Sequence, residues 1–238
     1  MKNKRILSLL ALIIFFVAVW YLQGIPLIWS PSIKSLLLMN SSASGYNSII
    51  AYALFYPLPF LFFLNHFFLP NSINLITKHK KRDTAFIIIT LQVITASAIF
   101  SLIHFMVNII LTVLHYGWSI IHESNFLLIC FINIFSILLF YSFLGLFNRF
   151  IKDIVGQYGL AIFLSFIIIG AYFFLDKLSA AGNYWSFFKE LGIISYYYYE
   201  HWTLRDISYS FLKLFSLVIA MQLIGSYGYS RKDFFYNE

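Results

Sequence analysis

The most ordered set of chemically capable side chains in this sequence is Thr90, Ser97, Ser101, His104, Asn108, Thr112 and His115, spaced at intervals of seven, four and three residues. At about 100° per residue these positions share one narrow face of a helix. Hydroxyls, an amide and an imidazole on one face either join neighbouring helices by hydrogen bonds or contact a substrate or proton along a path. Both readings stand for this stripe. His115, His122 and Glu123 lie close in sequence and include metal-ligating types, but neighbouring polar residues of a short turn are ordinarily just solvated. Cys130 is the lone cysteine, which allows neither an internal disulfide nor a thiolate metal site. Neither a Walker A sequence nor a Rossmann glycine pattern occurs.

The elements that position these residues follow from composition. Of 238 residues, 61% are apolar and only 11% charged; an ordinary soluble domain has about 45–50% and about 25%. With a mean hydropathy of +0.83, so much apolar surface cannot be hidden in one water-soluble core of this length. That excludes a soluble enzyme, a disordered tail and a disulfide-rich secreted module. A transmembrane helix needs about 20 mostly apolar residues, and six stretches qualify: 6–27, 48–69, 84–114, 125–147, 156–175 and 208–229. They are continuous runs rather than the dyad alternation of a β-barrel. The expected fold is therefore all-α, a single transmembrane domain over residues 1–238 with six spans, the first an uncleaved anchor.

Orientation follows from Lys and Arg. The net charge of +7 comes from clusters between the spans, which fits the positive-inside rule and not nucleic-acid binding. Placing both termini in the cytoplasm puts eleven basic residues inside, among them Lys78, Lys80, Lys81, Arg82, Arg149 and Lys152, against five outside. Trp20, Trp29, Trp118, Trp185 and Trp202 then all fall near the outer interface, where indoles prefer to sit. Residues 29–47 read as a polar outer loop, 148–155 as a short inner turn and 176–207 as a long outer connection. Two connections carry distinctive chemistry. The inner segment 70–83 combines Ile73, Leu75 and Ile76 with a basic end, which suits a surface helix that grips anionic lipid or a contact for a cytosolic partner. The outer segment 183–202 holds Trp185, Tyr196, Tyr197, Tyr198, Tyr199 and Trp202, which suits short interfacial helices or aromatic guides for an amphipathic substrate.

Two family patterns bear on these residues. Phe100-x-x-x-His104 and His104-x-x-x-Asn108 resemble the short motifs of CAAX-type intramembrane proteases, but the Glu-Glu pair that would activate water there is absent, so catalysis by that route has no base. The arrangement of six spans, a basic inner loop between spans two and three, and a long aromatic outer segment before span six resembles ABC-2 type permease subunits. The likeness is to the small permeases of Firmicute peptide exporters and lantibiotic-immunity transporters, with Leu75-Ile-Thr-Lys-His-Lys-Lys-Arg-Asp-Thr-Ala-Phe86 as its local match. The resemblance implies a membrane subunit with no enzymatic activity of its own. A separate cytosolic ABC ATPase would carry ATP and Mg, and a second permease subunit, identical or different, would complete the path. It further implies that Ile73, Leu75, Ile76, Lys78, Lys80, Lys81 and Arg82 form the ATPase-coupling element, and that the outer aromatic segment caps the path. The expected export substrate is a hydrophobic or amphipathic peptide, a lipid or a drug. The alternative is a stand-alone immunity or sensor protein that binds a bacteriocin or partner without transport.

Overall fold

The computed structural model describes residues 2–42, 45–67, 82–178 and 185–231. In chain order its α-helices are α1 (Lys2–Ile28), α2 (Ile33–Ser41), α3 (Pro57–Phe67), α4 (Arg82–Tyr116), α5 (Trp118–Glu123), α6 (Phe126–Val155), α7 (Tyr158–Leu178), α8 (Ile193–Tyr199) and α9 (Leu204–Arg231). No strand occurs among the described residues. Five of these helices, α1, α4, α6, α7 and α9, carry apolar stretches long enough to cross a bilayer. The protein is all-α and membrane-embedded.

The stretch expected as a second span is built in two pieces. Its first turns widen into a π-helical turn, Ala51–Phe55, in which the Tyr56 amide donates to the Ala51 carbonyl at 2.9 Å. The chain bends at Tyr56 and resumes as α3 at Pro57. Proline explains the break, because Pro57 has no N–H for the carbonyl four residues back and its ring crowds that turn. With 11 residues, α3 alone rises about 16 Å, so this stretch is not a single long helix of the kind the other five are.

Three connections differ from the loops expected of them. Residues 29–47 contain α2, whose N-terminus is capped by Ser32: its hydroxyl accepts from the Ser35 amide at 3.1 Å while the Ser35 hydroxyl accepts from the Ser32 amide at 2.9 Å. Ser35, Leu36, Met39 and Asn40 of α2 are buried, so this segment folds into the bundle and is not a solvated loop. Residues 148–155 are not a turn but the last turns of α6, since no helix breaker intervenes before Gly156. That glycine has φ +84°, and its amide donates to the Lys152 carbonyl at 2.8 Å. The short turn that carries His115, His122 and Glu123 contains the helix α5.

The core is organised around α6, which packs against α3, α4, α7, α8 and α9. Gly145 permits the close approach: a Cβ there would lie 2.6 Å from Val93 Cγ1 on α4 and 3.0 Å from Leu64 Cδ2 on α3. Toward the C-terminal end of α6, Asn65 of α3 donates to Asn148 at 3.0 Å, and Asn148 donates to Ser165 of α7 at 3.1 Å. Arg149, counted among the inner loop charges, is instead buried and pairs with Asp153 one turn on at 3.1 Å.

Candidate functional site

The stripe on α4 is buried from Thr90 to Thr112. Its members divide by what they touch. Thr90 and Ser97 return their hydroxyls to their own helix, at the Phe86 and Val93 carbonyls. The upper members reach across helices. Asn108 accepts from Trp20 Nε1 of α1 at 3.1 Å and from Thr112 at 3.4 Å, and it donates to Asn40 Oδ1 of α2 at 3.1 Å.

Asn108 is one link of a longer chain of neutral groups. Asn40 Oδ1 also accepts from Asn47 Nδ2 at 2.6 Å, Asn47 Oδ1 accepts from Tyr52 Oη at 2.6 Å, and Tyr52 Oη accepts from Asn133 Nδ2 at 2.9 Å. The path thus runs Trp20, Asn108, Asn40, Asn47, Tyr52, Asn133 and joins α1, α2, α4, the π turn and α6. Inside a bilayer-spanning bundle each of these groups would lack water as a partner, so mutual pairing is what makes their burial tolerable.

His104 sits beside this path in an aromatic surround. Tyr46 lies flat against the imidazole at 4.5 Å and 9°, with Phe16 at 5.1 Å, Tyr56 at 5.2 Å and Tyr52 at 5.7 Å. Tyr46 donates its hydroxyl to the His104 carbonyl at 3.2 Å and offers its own carbonyl to Tyr56 Oη at 2.9 Å. The turn that delivers Tyr46 requires Gly45, where a Cβ would lie 2.7 Å from the Met39 carbonyl oxygen. Such a neutral cluster can bind small polar groups and fix helix positions. Among the described residues Cys130 Sγ has its hydrogen-bond contact with Asn108 Nδ2, at 3.9 Å.

His115, at the top of the stripe, pairs with Tyr21 Oη at 3.1 Å and stacks on Trp20 at 5.3 Å. His122 and Glu123 lie on α5, and among the described residues no three His, Cys, Asp or Glu side chains converge as a metal site would need. The aromatic segment expected on the outer side is anchored rather than loose where it is described, from Trp185 onward. Tyr196 stacks on Trp202 at 4.5 Å, Tyr197 and Tyr198 meet edge to face at 5.2 Å, and Tyr198 donates to the Ser124 carbonyl, while Tyr199 and Trp185 are exposed. Burial, helped by Glu200, Glu190 and Asp176, pushes the Tyr196 phenol up to about 12. Ile73, Leu75, Ile76, Lys78, Lys80 and Lys81 lie outside the described residues, and Arg82 opens α4.

Sequence reasoning missed the partners of the stripe and the anchor of the outer segment. Asn40, Tyr46 and Asn47 lie in a run of serines and small residues that reads as solvated loop. The available signal was Asn133, two turns into the apolar helix α6, an intramembrane amide that must find a partner. Glu190 went unremarked, yet it is 3% exposed, pairs with Lys213 at 2.9 Å and accepts from Trp185 Nε1 at 2.7 Å. Its signal was Lys213, a lone charge inside an apolar run. Set against family models, curated proteins and solved structures, the chain has no significant match.

Proposed function

We propose that this chain is the membrane-spanning permease subunit of an ABC transporter, working with a separate ATPase and a second permease subunit to export a hydrophobic or amphipathic peptide. In this reading it crosses a bacterial cytoplasmic membrane six times with both termini inside, the bent stretch 48–69 serving as the second crossing. The outer segment supports it best. The short helix Lys189–Leu191 and α8 pack on α6, with Glu190 tied to Lys213 of the last long helix, which suits a cap fixed over the outer end. ATP and Mg belong to the partner subunit, and 70–83 is the coupling element.

The experiment is Leu75→Asp in the full chain. Buried apolar anchors dominate such interfaces, whereas exposed rim charges contribute little each. Leu75→Asp should therefore lower copurification of an ATP-hydrolysing partner and uncouple export, while Lys80→Gln changes little. Cysteines introduced at Ser42 and Lys80 check orientation, the first labelled from outside by an impermeant thiol reagent and the second not. Intact partner binding and export in Leu75→Asp would refute the coupling role.

A stand-alone immunity or sensor protein is the second reading. What favours it is the stripe from Thr90 to Thr112, closed off within a single chain by that chain's own aromatic residues.

A further inference from the structure

We infer that one water molecule is bound between α4 and α6, bridging His104 and Asn133 inside the bundle. Two buried atoms point to it. His104 Nε2 and Asn133 Oδ1 have no hydrogen-bond partner among the described residues, although each residue is only 2% exposed. Both residues line the same small cavity, of about 10 Å³, together with Asn47, Asn108, Cys130 and Ile134.

Size and chemistry select the occupant. A single water needs about 10–15 Å³ of such space and two to four polar partners, so this cavity takes one and nothing larger. Asn133 Nδ2 is already committed to Tyr52 Oη, which leaves its Oδ1 in need of a donor. Water donates to that oxygen and pairs with His104 Nε2 in either tautomer of the ring, accepting from an N–H or donating to a bare nitrogen. The chemistry does not suit a metal cation, because the cavity wall presents no carboxylate and its other amides, Asn47 and Asn108, both donate to Asn40 Oδ1. The Tyr46 stack and the Phe16 and Tyr56 edges hold the imidazole plane, so the nitrogen is fixed in place for a ligand of this size. Bridging His104 to Asn133 extends the amide path back onto α4 and ties α4 to α6 through a second polar link, independent of any transport role.

The test is solid-state NMR on the full-length, ¹⁵N,¹³C-labelled protein in phospholipid bilayers, reading magnetisation transfer from water protons to side chains. Transfer is expected at the His104 imidazole and the Asn133 amide, and none at the ring of Phe100, which is equally buried but apolar. Asn133→Leu should abolish the His104 signal, and Ser142→Ala, a buried change elsewhere on α6, should keep it. Absence of transfer at both groups in the unmodified protein overturns the inference. A His104 signal of full strength in Asn133→Leu overturns the bridge. If Asn133→Leu does not fold, the unmodified protein decides alone.

Discussion

Removal of the Asn108 amide tests whether the polar path holds the bundle together. Asn108→Leu keeps the branched, four-heavy-atom shape of the side chain and deletes two interhelical hydrogen bonds, from Trp20 Nε1 and to Asn40 Oδ1, both at 3.1 Å, together with the long 3.9 Å contact to Cys130 Sγ. Asn40 Oδ1 keeps its 2.6 Å bond from Asn47 and is not orphaned. Trp20 Nε1 has no such second partner among the described residues and is fully buried, whereas the Thr112 hydroxyl, held to Asn108 by a long 3.4 Å bond, can turn to its own helix backbone. Interhelical hydrogen bonds in membranes are each worth about 0.6 kcal/mol on average and up to about 1.7, and an orphaned buried donor costs about 1–3 kcal/mol. Since the orphaning penalty already contains the lost Trp20 bond, the expected destabilisation is about 2–5 kcal/mol. Trp20→Phe removes the donor itself and leaves Asn108 Oδ1 with Thr112, so it should cost less through this bond. The double variant should then be milder than the sum, because no orphan donor remains, with a coupling of about 1 kcal/mol. Reversible unfolding in mixed micelles, followed across all four members of the cycle, gives the number. Additivity to within about 0.3 kcal/mol would refute the claim that the Trp20–Asn108 bond carries this energy.

Two further substitutions probe other supports of the fold by the same measurement. Lys213→Met leaves the Glu190 carboxylate buried with Trp185 as its remaining side-chain donor; because Lys213 is itself 47% exposed, the expected loss is about 1–2 kcal/mol, below the range for a fully buried pair, and Glu190→Gln added to it should recover part of that loss. Gly145→Val drives a methyl toward Val93 Cγ1, already 2.6 Å from the ideal Cβ position, and should cost about 1–3 kcal/mol as overpacking, with Val93→Ala as the compensating change.

The long helices were legible because bilayer thickness imposes one requirement, an unbroken apolar run, and five of the runs meet it. Where a second physical rule competes, composition alone fails. Apolarity carries 48–69 across as a single span, yet Pro57 removes the hydrogen bond that continuity needs, and the chain answers with a π turn and a bend. Residues 148–155 show the converse: their charges suggest a turn, but Arg149 pairs with Asp153 and Asn148 with Ser165, and the helix runs on to Gly156. The face shared by His104 and Asn108 could be read from spacing. Its partners could not, because Asn40 and Asn47 differ from solvated loop residues only in the three-dimensional pairing that occupies them.

That pairing also bears on how the proposed transport would work. Phe16, Phe100, Phe140 and Tyr141 are all fully buried, Phe100 of α4 packs against Tyr141 of α6 at 4.9 Å, and the cavity beside His104 has about 10 Å³. A peptide side chain is many times larger, so a path through this bundle would require breaking the amide chain at Asn40 and Asn47 and withdrawing Tyr46 from the imidazole. Each such step exposes polar groups to a medium without water, which works against opening from within. If the proposed export holds, a peptide path compatible with this packing would run along the outside of the bundle, against the proposed second permease subunit. In that arrangement the buried polar stripe serves to keep α1, α2, α4 and α6 rigid while the subunits move against each other.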